Sequence, residues 1–90
     1  MGKKKLKLND GDPLSLRLKA VGVREILFEI HQVGSSARVS AIDPRSGTEI
    51  TTVCPAGHDE NAMQRVAAGK LAYVLEKKRR LIEDDGSIIT

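Results

Sequence analysis

Cys54 and His58, in the stretch CPAGH, come closest to a reactive pair by type and spacing. A thiol near the start of a helix can be held as thiolate by the helix dipole and a neighbouring imidazole, which makes it a nucleophile. With His31 the same side chains offer three metal-binding groups, and Asp59 and Glu60 add carboxylates. A structural zinc site takes four ligands, and this spacing matches no such set. Alternation along the residues before Pro55 puts Cys54 on the core side of a strand, beside Ala37, where a small buried hydrophobe is expected. His31 falls on the polar side of a strand next to Arg38. Ser35 and Ser36 occupy a turn with no His and Asp partners in a recognisable order, and AVGV lacks the spacing and the lysine of a phosphate loop. No catalytic, metal or cofactor residue is assigned, and the chain reads as a non-enzyme.

The charged ends are the second chemical feature. The net charge of +3 divides unevenly: +5 over residues 1–24, −4 over residues 25–60 and +2 over residues 61–90. Lys3, Lys4, Lys5 and Lys7 at one end, and Lys77, Lys78, Arg79 and Arg80 near the other, can neutralise phosphates in a salt-sensitive, sequence-independent way. Against nucleic acid stand the acidic middle of the chain and an aromatic set of Phe28 and Tyr73 alone, too few to stack bases. The cations also suit a solvated tail and a helix C-terminus.

These side chains must be held by a small unit. Chains near 90 residues bury roughly 60% of the surface exposed by the unfolded chain, so a disulfide, a metal or a partner subunit commonly supplements the core. One cysteine forms no internal disulfide, which leaves oligomerisation. No apolar run reaches the roughly 20 residues of a membrane span, MGKKKLKL breaks into charge before any signal-like stretch, and a reducing, cytoplasmic setting is expected.

From Val23 to Val33, Ile26, Phe28 and Ile30 alternate with Leu27, Glu29 and His31, the pattern of a strand. GSS follows as a tight turn, and ARVSAID resumes the alternation. DPRSG is a second turn, with Pro44 presetting φ and Gly47 free to take positive φ, and TEITTVC is a third strand. Pairing Val33 with Ser36 and Asp43 with Thr48 aligns Phe28, Ala41 and Ile50 in one cross-sheet row and Ile30, Val39 and Thr52 in the next. Asp59 or His58 can then cap a helix that presents Met63, Val66, Ala67, Leu71 and Val74 to the Phe28 face. The expected fold is α+β: a three-stranded antiparallel β-meander, about Val23–Cys54, packed on one C-terminal α-helix, about Asp59–Arg80. Residues 1–22 are expected as a flexible basic arm, 23–82 as the domain and 83–90 as a flexible tail.

Arg24–Lys78 resembles a family of small uncharacterised bacterial proteins. The features that carry the resemblance are Phe28–Glu29 in a strand, VSAIDPRSGTE at Val39–Glu49, and KLAYVLEKK at Lys70–Lys78. It implies the three-strand-plus-helix fold and dimerisation, and no chemistry. Two other families are similar in layout: integrase arm-type DNA-binding domains share the strand order and the hairpin, and double-stranded-RNA-binding domains share the strands and an Ala-rich helix, here Ala67 to Ala72. Both bring basic residues where this chain has HDEN and strand glutamates.

The function expected on these grounds is that of a non-enzymatic, homodimeric binding or accessory domain, with strand exchange open to it. Self-contacts are expected at Leu27, Ile42 and Val53 on the polar sheet face and at Ala68, Gly69 and Ala72 on the helix, where small residues allow close approach. The alternative is a nucleic-acid-binding module using the two basic clusters.

Overall fold

The computed structural model describes residues 2–8 and 11–88. Its elements are β1 (Gly2–Lys7), α1 (Pro13–Ala20), β2 (Glu25–Val33), β3 (Ser36–Asp43), β4 (Thr48–Pro55) and α2 (Glu60–Ile88). Among the described residues the strands form one antiparallel sheet in the order β1-β2-β3-β4. The α+β class and the C-terminal helix therefore hold, but the sheet has four strands where three were expected.

The meander closes with the anticipated registers. Val33 pairs with Ser36, Phe28 with Ala41, Ala41 with Ile50, Val39 with Thr52, and Asp43 with Thr48. Gly34 at φ +60° opens the two-residue loop between β2 and β3, as a glycine-first hairpin turn requires. At the next turn Gly47 takes φ +76°, and its amide donates to the Asp43 carbonyl at 2.8 Å. The buried Asp43 carboxylate organises that loop, accepting from the Arg45 amide at 3.1 Å and from Ser46 Oγ at 2.7 Å.

The fourth strand comes from the segment expected as an arm. Lys3, Lys5 and Lys7 pair in register with Glu29, Leu27 and Glu25, so the lysine strand lies along the acidic one. Lys5 Nζ reaches Glu25 Oε2 at 3.3 Å. This pair of opposite charges on neighbouring strands favours the β1–β2 pairing.

Helix α1 also lies in that segment. Asp12 is its N-cap, accepting from the Leu14 amide at 3.4 Å, and Pro13 occupies the first turn, where its missing N–H is no loss. Gly22, at φ +91°, takes the chain out of the helix toward β2. Leu18 and Ser15 are buried and Leu14 is half-buried, whereas Leu16 is 52% exposed. Leu14 and Leu18, at i and i+4, thus both turn inward from a helix in the segment expected as an arm.

Both helices sit on one face of the sheet, over Ile26, Phe28, Val39, Ala41 and Cys54. Asp59 stands at the N-cap position of α2, its carbonyl accepting from the Met63 amide. The buried face of α2 has two lines. Met63, Ala67 and Leu71 form one, and Gln64, Ala68, Ala72 and Leu75 the other. The second line exists because α2 must contact α1 as well as β3 and β4. For the same reason Val66, expected inward, is 47% exposed.

Polar contacts set the helix pair. Arg65 grips Asp12 with two hydrogen bonds of 3.0 and 3.2 Å, and Arg17 grips Glu76 with two of 2.8 and 3.1 Å. Arg79 donates to the carbonyl of Ala20 at 2.7 Å, closing the C-terminal end of α1. α2 continues past Arg80 to Ile88, so the KKRR run lies inside the helix rather than in its last turn.

Candidate interaction surface

With α1 and α2 on one side, among the described residues no element covers the other face of the sheet. Strand alternation and register decide what it carries. One row crosses all four strands as Lys5, Leu27, Ile42 and Glu49. The next reads Glu29, Ser40 and Thr51, and the one after that His31, Arg38 and Val53. Ser40 and Thr51 bond through their hydroxyls at 3.0 Å, and Ser40 is buried between its neighbours. Leu27 and Ile42 are half-buried and directly opposite each other, whereas Val53 is 64% exposed. Of the three residues expected to make contacts here, Leu27 and Ile42 adjoin, and the Ser40–Thr51 row separates Val53 from them.

The expected helix contacts divide differently. Ala68 and Ala72 are buried inside the chain, in the core cluster that also holds Leu18 of α1, and do not face a partner. Only Gly69 of that group looks outward: a Cβ built there meets nothing within 4 Å. The outer edge of β2, expected to be open to exchange, is occupied by β1.

The basic residues also turn partly inward. Lys78 Nζ reaches Thr48 Oγ1 at 3.3 Å, and Lys70 Nζ reaches Thr52 Oγ1 at 3.0 Å, both hydroxyls belonging to β4. Arg79 holds α1. Lys77 and Arg80 are exposed, and the charge of Arg80 helps keep Glu76 ionised. Lys4 pairs in register with Phe28.

Cys54 is 6% exposed within the core cluster, opposite Ala37 as the register required. His58 and His31 are both exposed. Among the described residues no group of three or more His, Cys, Asp or Glu side chains is placed to hold a metal ion. A groove of about 330 Å³ runs between α1, α2 and β2, with Leu14, Leu18, Ile26 and Phe28 along it and the Asp12–Arg65 pair at its margin. Arg65 holds the Asp12 carboxyl below its ordinary value by hydrogen bonding, and Arg17 does the same to Glu76. Both carboxylates are salt-bridge partners of arginines. No helix among the described residues is long and apolar enough to cross a membrane.

The model of a protein family described as a domain of unknown function, DUF6898, matches residues 23–78, more than half of the chain. The chain belongs to this family. The DUF6898 match agrees with the resemblance read from Arg24 to Lys78, and it takes in β2, β3, β4 and α2 as far as Lys78, with β1 and α1 preceding it. No curated protein and no solved structure matches the chain.

The missed parts of the surface had a signal. Lysines at positions 3, 5 and 7 alternate as strand residues do, and glutamates at 25 and 29 are spaced to meet them.

Proposed function

We propose that this chain is a non-enzymatic, cytoplasmic accessory domain that works as a homodimer and uses the uncovered face of its sheet to bind the second copy. The observation that carries the reading is the row Lys5, Leu27, Ile42 and Glu49. It has two adjoining apolar side chains in the middle and opposite charges at its ends, a self-complementary arrangement. The chemistry of the other candidate sites supports the absence of catalysis: Cys54 is packed as a core residue, and the Asp12 and Glu76 carboxylates are tied to arginines. The cytoplasmic setting rests on the single cysteine and on composition.

The size of the face sets the strength. Four strands about 4.8 Å apart and about eight residues long, at about 3.3 Å per residue, offer roughly 500 Å² per copy. A pair therefore buries about 1,000 Å², at the lower end for a specific interface, and a concentration-dependent dimer is expected.

Sedimentation mass of the full chain and of the Ile42→Glu variant tests this, each with and without random duplex DNA and RNA at two salt concentrations. The expected result is a dimer that dissociates on dilution, a folded monomer for the variant, and no shift with nucleic acid at physiological salt. A monomer that forms complexes weakening with salt would replace this reading with the nucleic-acid one.

A further inference from the structure

Resting on the homodimer reading, we infer the symmetry of the pair: the two open faces stack about a two-fold axis that runs parallel to the strands, placing Lys5 over the partner's Glu49 and Leu27 over the partner's Ile42.

When two sheets pack with their strands aligned, a two-fold axis lying between them runs either across the strands or along them. An axis across the strands sets each strand over its own copy. β1, carrying Lys5, would then lie on the partner's β1, and β4, carrying Glu49, on the partner's β4. Like charges brought together across an interface are costly. An axis along the strands reverses the strand order while keeping each row over itself. β1 then lies over the partner's β4 and β2 over the partner's β3.

In that arrangement the row Lys5, Leu27, Ile42, Glu49 reads against its own reverse. The ammonium of Lys5, already 3.3 Å from Glu25 within its chain, gains a second carboxylate, and the contact occurs twice by symmetry. Leu27 and Ile42, half-buried in one copy, close over each other in the centre. Glu29 falls over the partner's Ser40 and not over another carboxylate.

Charge exchange tests the axis. Sedimentation equilibrium is run on the full chain, on Lys5→Glu, on Glu49→Lys, on the double variant and on an equimolar mixture of the two single variants, with thermal melts to show that each is folded. Each single variant is expected to dimerise about tenfold more weakly, and the double variant and the mixture are expected to recover. Glu49→Lys carries the most weight, since Lys5→Glu also sets a carboxylate beside Glu25. A wild-type dimer whose affinity ignores Glu49→Lys, or a double variant as weak as the singles, overturns the axis and leaves the homodimer standing. A wild-type chain that stays monomeric at the highest concentrations overturns both.

Discussion

Replacing Leu18 by alanine tests the central departure of this fold from its sequence, the docking of α1. Leu18 is 1% exposed and shares the core cluster with Ile26, Phe28, Ala68 and Leu71. A fully buried leucine cut to alanine costs about 2–5 kcal/mol, through lost transfer energy plus the cavity left behind. Here the cavity opens onto the groove between the helices, and an eight-residue helix can settle into it, so a value of about 3 kcal/mol is expected. Domains of this size have about 5–15 kcal/mol in total. The loss therefore lowers the melting temperature by roughly 12–24 °C, at about 4–8 °C per kcal/mol. The control is Leu16→Ala two residues away, 52% exposed, which is expected to change stability by no more than about 0.5 kcal/mol. Thermal and urea melts followed by circular dichroism read both. If Leu18→Ala melts with Leu16→Ala and the wild type, residues 13–20 are not packed on the core.

Gly69→Ala is expected to stabilise the chain by about 1 kcal/mol, because the added Cβ meets open space and alanine is the better helix former. Its sedimentation mass should match the wild type; a lower mass than the wild type would count against the proposed sheet interface and favour one on α2. The Asp12 and Glu76 carboxyls titrate below their ordinary 3.8 and 4.5 in the folded chain, so their contribution is full above those values and is lost as pH falls below them. Melting temperatures on acidification should accordingly fall less steeply for the Asp12→Asn/Glu76→Gln double variant than for the wild type; identical slopes would count against the two ion pairs. Cys54, at 6% exposure, should react slowly with a thiol reagent in the native state and fully on unfolding, and fast native labelling would revive a reactive thiol.

The meander was legible because two kinds of signal agreed. Gly34 and the Asp43–Gly47 loop fixed where the chain reverses, and alternation through Phe28, Val39 and Ile50 fixed which residues share a face, so the registers followed residue for residue. β1 was hidden because four of its six residues are lysine, a composition that reads as a solvated tail until paired with Glu25 and Glu29. α1 carried its cap signature, Asp12 followed by Pro13, but in a stretch that also reads as a loop, and its eight residues hold barely two turns of periodicity. That omission propagated. Without α1, Ala68 and Ala72 read as an outward surface and Val66 as core, when the second helix reverses both assignments. The open face could be read by residue type, but its four-strand row required the strand that was not seen.

The order in which the strands neighbour one another bears on how the chain acquires its structure. β2, β3 and β4 meet across loops of two and four residues, and α2 follows directly, so little chain must be closed before their contacts form. β1 reaches β2 only across the span that holds α1, and is expected to dock after the meander has formed. Changes in α1 such as Leu18→Ala should then accelerate unfolding far more than they slow refolding, while changes at Val39 or Ala41 should slow refolding as well. The lifetime of the folded chain would thus be governed at its N-terminal end and its rate of formation by the hairpins.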